Sequence, residues 1–128
     1  MDLVLILARE LASNLATATF VVDPQGTLIY YNEAAEGLLG EKYADAGELA
    51  IEEWGTIWSP EDLDTGEKIP VEDLPLSVAL AENRPSHKGM WIVGSDDVRR
   101  QIAVTAFPLF SREDESVGAV AIFWENRE

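Results

Sequence analysis

A chain of 128 residues with 24 acidic and 9 basic side chains carries a formal charge of −15, while 47% of it is hydrophobic. That length suits one domain with a real core, and the charge argues against nucleic acid and anionic membrane surfaces, which are held by lysine and arginine. There is no cysteine, which excludes disulfides, thiolate nucleophiles, zinc–thiolate sites and iron–sulfur clusters.

The opening Met1-Asp2 is acidic where a secretory leader needs positive charge, and Arg9-Glu10 cut the apolar run after Ala8. No stretch reaches the roughly 20 apolar residues of a membrane-spanning helix. A soluble, cytoplasmic chain with no membrane partner is expected. Residues 2–16 read as an amphipathic helix, with Leu3, Leu7, Leu11 and Leu15 at four-residue spacing beside Val4, Ala8 and Ala12. Asp2 suits its N-terminus, and Ser13-Asn14 weaken its end. This helix, 1–16, stands apart from a main unit over 17–126.

Residues 18–23 are β-branched and aromatic and read as a strand. Asp23-Pro24-Gln25-Gly26 is a turn, and residues 27–31 return as a second strand, closing a hairpin. Asn32 caps a helix over Glu33–Leu39 that Gly40 ends. Residues 41–70 hold Gly47, Gly55, Pro60, Gly66 and Pro70, so short helices are expected, one around Gly47–Trp54, with a turn at Pro60–Leu63. Val71–Asn83 reads as a helix with Leu74, Val78 and Leu80-Ala81 on one side and Pro75 near its start. Three strands follow, His87–Val93, Val98–Leu109 and Val117–Trp124, joined by turns at 94–97 and 111–115. Short turns favour an antiparallel meander. The result is an α+β fold: five strands in one sheet, short helices on one face and the N-terminal helix on the other.

The last strand supports that cover on both faces. Ala119-Val-Ala-Ile-Phe-Trp124 is apolar on both sides, so both must be shielded. The middle helices shield one face, and the leucine helix or a second subunit shields the other. Trp91, Val120, Ile122 and Trp124 are assigned to that outer face, with Leu3, Leu7, Leu11 and Leu15 as candidates for a homodimer contact. Charge is segregated as well. Residues 33–82 hold 14 acids and 2 bases, a net of −12, while the remainder is close to balanced.

The stretch Phe20-Val-Val-Asp-Pro-Gln-Gly-Thr-Leu-Ile-Tyr-Tyr-Asn-Glu-Ala-Ala-Glu-Gly-Leu-Leu-Gly40 resembles the opening of a PAS domain: a hairpin with an Asp-x-x-Gly turn, then Asn and Ala starting a helix closed by Leu-Gly. Glu72–Leu80 is similar to the long helix of sensory-box PAS domains in bacterial signalling proteins such as sensor histidine kinases. Arg100–Leu109 and Val117–Trp124 resemble the family's last two strands. The likeness covers about residues 12–126. Where many relatives end in Asp-Ile-Thr before an output domain, this chain reads Glu125-Asn126-Arg127.

The resemblance implies a ligand cavity between sheet and helices. Its candidate lining is Met90, Ile92, Ile102, Val104, Ala106, Ala119, Ala121 and Phe123 from the sheet, with Leu39, Leu74 and Val78 from the helices. Trp54 and Trp58 either close this cavity or pack as ordinary core. The small Ala103, Ala106, Ala119 and Ala121 favour open space. Covalent flavin and covalent chromophore chemistry need a cysteine and are excluded. Haem-binding relatives offer a histidine from the long helix, but Val71–Asn83 has none, and the single histidine, His87, reads as a strand-end surface residue. Non-covalent flavin is disfavoured because the lining has no Asn or Gln for the pyrimidine edge.

Other motifs fail on spacing. Asp62-Leu-Asp-Thr-Gly66 places its glycine one position early for a calcium loop and lacks the closing Glu. Glu52-Glu53 and Glu61-Asp62 are adjacent and do not face each other. No nucleophile elbow accompanies His87, and no glycine-rich phosphate loop is present. No metal site and no enzyme activity are expected. The reading is a signal-transduction module, as in two-component systems. It would bind a small apolar or aromatic ligand, signal through sheet and N-terminal helix packing, and act on a kinase or other output domain. The alternative is a ligand-free dimerisation or protein-interaction module.

Overall fold

A computed structural model describes residues 2–111 and 115–126. The expected turn over 111–115 and the end of the chain at Arg127 lie wholly or partly outside the described residues. The first helix, α1 (Leu3–Ser13), is capped by Asp2, whose carboxylate accepts from the Val4 amide at 2.7 Å. Strands β1 (Ala18–Val22) and β2 (Leu28–Tyr31) form the expected hairpin. Asp23 Oδ1 accepts from the Gln25 and Thr27 amides and fixes the turn between them.

Asn32 caps α2 (Glu33–Leu39), and Gly40 ends it at φ 70°, a left-handed cap that glycine adopts without steric cost. The punctuated middle resolves into α3 (Tyr43–Ala46), α4 (Ile51–Ile57) and a two-residue strand β3 (Glu61–Asp62) where a turn was expected. The expected helix over Val71–Asn83 is broken. A 3₁₀ turn spans Val71–Asp73, Leu74 is extended at ψ 146°, and α5 runs Pro75–Glu82. The cause is local, because the ring of Pro75 disfavours helical backbone at the residue before it. Strands β4 (Ser86–Val93), β5 (Arg99–Phe110) and β6 (Ser116–Glu125) complete the chain.

All the strands pair antiparallel in one sheet of order β2-β1-β6-β5-β4-β3. The sheet therefore has six strands rather than the expected five, the extra one being the short edge strand β3 against Met90 and Trp91. The inner face, with Phe20, Val22, Met90, Ile92, Ile102, Val104, Ala119, Ala121 and Phe123, packs against α2, α4 and α5 in the main core.

The outer face is covered by α1 through Leu5 and Ala12, buried against Val21, Ile29 and Val120. The leucine stripe is not the face that meets the sheet. Leu3, Leu7, Leu11 and Leu15 are 66%, 58%, 63% and 40% exposed. Close approach decides this: the helix crosses β6 at Gly118, where an added Cβ would meet the Val22 carbonyl and the Leu5 side chain. Small and single branched residues fit there, and a leucine ridge does not. Among the described residues, no helix is long and apolar enough to cross a membrane.

Candidate functional site

Phe20 organises the inner face. It pairs with Tyr31 of β2 on one side and Ala121 of β6 on the other. Its ring centroid lies 5.4 Å from those of Tyr31 and Phe123, 5.7 Å from Trp58 and 6.5 Å from Trp54. Such stacked and edge-on pairs hold their geometry better than aliphatic contacts.

Beside this cluster lies a cavity of about 80 Å³, walled by Phe20, Leu39, Trp54, Trp58, Pro60, Leu74, Pro75, Leu76, Met90, Ile92, Ile102, Val104, Ala121 and Phe123. Every wall residue is apolar or aromatic, so a charged guest would lose its hydration with nothing to replace it.

Two tryptophans from one short helical segment line this cavity in different ways. Trp54 Nε1 donates to the Gly26 carbonyl at 2.7 Å, tying α4 to the β1–β2 turn. Trp58 is only 3% exposed, and its Nε1 is buried with no hydrogen-bond partner among the described residues.

The cavity also connects mechanically to the β4–β5 turn. Leu39 ends α2, and its carbonyl accepts from the Ser95 amide at 2.8 Å. Arg100 Nη1 donates to the Leu38 carbonyl at 2.9 Å and Nη2 pairs with Asp96 at 3.1 Å. The Arg100 hydrogen bond holds the Asp96 carboxyl below its ordinary range. Tyr31, beneath the opposite edge of the cluster, donates to the Glu41 carbonyl at 3.0 Å. Its phenol is pushed up by burial, then by the nearby carboxylates of Glu41, Glu36 and Asp45, so it stays neutral.

Of the candidate lining, the structure brings together Leu39, Trp54, Trp58, Leu74, Met90, Ile92, Ile102, Val104, Ala121 and Phe123. Ala106 and Ala119 are fully buried in the same core but lie away from the cavity. Val78 is only partly buried and lies outside the wall, because the break at Leu74 rotates α5 so that Pro75, Leu76 and Ala79 face inward. Phe20, Pro60, Pro75 and Leu76 line the cavity without having been singled out. Phe20 shares its face of β1 with Val22, but every residue of that strand is buried, so its sequence carries no signal for which face is inward. Pro60 carries none either, because it sits in a loop.

No family model matches the sequence, and no curated protein matches it. Solved structures do. The PAS domain of the fruit-fly ELK potassium channel matches 98% of this chain and 98% of that chain, with a TM-score of 0.73 and 9% identity. The PAS domain of nitrogen regulation protein NR(II) from Vibrio parahaemolyticus matches 94% of this chain and 98% of that chain, at a TM-score of 0.64 and 18% identity. The Rhodobacter sphaeroides LOV protein matches 97% of this chain and 68% of that chain, at 0.73 and 13%. The chain has the PAS fold.

The cavity walls offer no histidine, cysteine, Asn or Gln, and about 80 Å³ is small against the roughly 300–1,000 Å³ of pockets that take larger ligands. His87 lies on the other face of the sheet, with Nδ1 2.7 Å from Thr105 Oγ1 and its ring 6.3 Å from Trp124.

On that outer face Val120 is buried under α1, Ile122 is partly covered, Trp124 is 42% exposed and Trp91 lies beneath the Arg99 guanidinium at 4.0 Å. Asp62 is occupied as a turn former: its Oδ1 accepts from the Thr65 and Asp64 amides, and these bonds lower its carboxyl. Among the described residues no group of three His, Asp or Glu side chains forms a metal site.

Proposed function

We propose that this chain is a sensory PAS module whose cavity takes a small, neutral, mainly apolar or aromatic molecule. Occupancy would then be read as a change in how the sheet packs against α1 and a second copy of the chain. The observation that carries the reading is a core cavity walled by apolar and aromatic groups beside an aromatic cluster. A preformed void of this kind binds small hydrocarbons readily, as engineered apolar cavities do. The Ser95 amide supports it by tying the carbonyl of the wall residue Leu39 to the sheet turn, beside the Arg100 bond to the Leu38 carbonyl. No catalytic role is assigned.

A second reading has its own observation. The exposed stripe of Leu3, Leu7 and Leu11 recurs every four residues, with Ile6 alongside. Within α1 the charges of Arg9 and Glu10 cancel, whereas residues 33–82 carry −12. Two copies therefore repel least where the leucines are. In this reading the domain dimerises through α1, and the cavity is a packing defect.

The test is binding of a hydrocarbon probe, 2-methyl-1-butene, followed by the methyl resonances of Met90 and Ile92. The sensory reading expects saturable shifts that Ala121→Leu abolishes by filling the cavity. Shifts absent in the wild type, or unchanged in the filled variant, overturn it in favour of the dimerisation reading.

A further inference from the structure

The wall of the cavity contains one unused donor. Trp58 Nε1 is buried and has no acceptor among the described residues, whereas Trp54 Nε1, one helical turn away, is satisfied by the Gly26 carbonyl. Buried indole N–H groups nearly always find a partner. No wall residue supplies a polar side chain that could serve. We propose that the cavity's ligand carries one neutral hydrogen-bond acceptor, a ketone, aldehyde or ester carbonyl, received by Trp58 Nε1. This rests on the sensory reading above and narrows it.

The chemistry of the wall limits the class on every other side. A carboxylate or amine would bury a charge against Phe20, Ile102, Val104 and Phe123 with no counter-ion among the wall residues. An alcohol or amide brings a donor of its own, for which the wall side chains offer no acceptor. A carbonyl accepts only, so it satisfies the indole and leaves nothing unpaired. Its two substituents are then free to contact the apolar wall, Met90 being the most adaptable part of it. The donor also gives the site an orientation that a uniformly apolar void lacks.

The experiment compares 2-butanone with 2-methyl-1-butene, which replaces C=O by C=CH₂ at nearly the same shape. Both are titrated into wild-type protein and into Trp58→Phe. The proposal expects the substitution to weaken 2-butanone by about tenfold, the factor for roughly one buried hydrogen bond. The hydrocarbon should change by no more than about twofold, since the ring and its packing are largely kept.

In wild-type protein the indole Nε1–H proton of Trp58 should move downfield with 2-butanone and not with the hydrocarbon. That second measurement stands even if Trp58→Phe fails to fold. Equal losses for both probes, or an indole resonance indifferent to the ketone, overturn the proposal while leaving the sensory reading intact. Failure of both probes to bind the wild type overturns the reading itself and this inference with it.

Discussion

Asn32 Nδ2 donates to the carbonyl of Ala12 at 3.0 Å, joining the cap of α2 to the last turn of α1 across the fold. The same amide group donates to the Thr17 carbonyl at 2.9 Å, while Oδ1 accepts from the Thr19 and Ala35 amides at 3.0 and 3.1 Å. Asn32 is 1% exposed, so the Thr19 and Ala35 amides would be stranded without it, while the Ala12 and Thr17 carbonyls would keep the Leu15 amide and the Thr19 hydroxyl. One side chain thus fixes the outer helix, strand β1 and the first helix of the cavity cap together.

Asn32→Ala should lower unfolding free energy by about 3 kcal/mol, measured by urea denaturation. Asn32→Asp keeps the acceptor but turns an oxygen toward the Ala12 and Thr17 carbonyls. It should destabilise at pH 7 and recover in part at low pH, where a protonated carboxyl can donate. A variant with wild-type stability would show that the hub is dispensable.

Gly118 has φ 143°, next to a register shift between β5 and β6, and a Cβ there meets the Val22 carbonyl and Leu5. Gly118→Ala should cost at least about 2 kcal/mol. Because Leu5 belongs to α1, hydrogen exchange in residues 3–13 should accelerate more than in α5. Uniform acceleration would place the damage in the sheet alone.

The Asp96–Arg100 pair predicts a pH dependence with a definite sign. The folded carboxyl titrates below its ordinary 3.8. Its contribution is therefore complete above the unfolded value and is lost as pH falls through the lower folded one. Asp96→Asn should be less stable than wild type at pH 7, and the two should converge as pH drops below 3.8. Parallel curves across that window would mean the carboxylate does not contribute as a charge.

Leu7→Glu places a carboxylate in the middle of the exposed α1 stripe, where Leu7 is 58% exposed and adds little to the monomer's core. Sedimentation should show a dimer for the wild type and a monomer for the variant, with near-identical melting of the monomer. A wild-type monomer at high concentration would remove α1 as a dimer seam.

Much of this was legible from local chemistry. Asn32 and Gly40 bracket α2 because a cap and a left-handed terminator are written in single residues. The resemblance placed Ala119, Ala121 and Phe123 inside, and they lie in the main core with Val120 on the opposite face, because successive residues of a strand point to opposite sides. Periodicity finds the apolar leucine stripe without saying how closely that face can approach a sheet. Leu5 and Ala12 fit against Gly118, and the larger ridge turns outward. Strand β3 was invisible because Glu61 and Asp62 join the sheet by backbone pairing, which leaves no apolar signature. Val78 fell outside the wall because one proline reset the phase of α5.

The strand order has a consequence for how the molecule is made. Strand β6, the last to emerge during synthesis, occupies the interior of the sheet, with Ala18 opposite Phe123 and Val22 opposite Ala119. Until it arrives, the β1–β2 hairpin and the β3–β4–β5 ladder are two separate pieces, each with a bare edge. The contacts that unite them span nearly the whole chain and close late, at the entropic cost of a long loop. A nascent chain halted before Val117 should therefore hold two ribbons that cannot meet, and the cavity between sheet and helices comes into being only when the final strand slides between them.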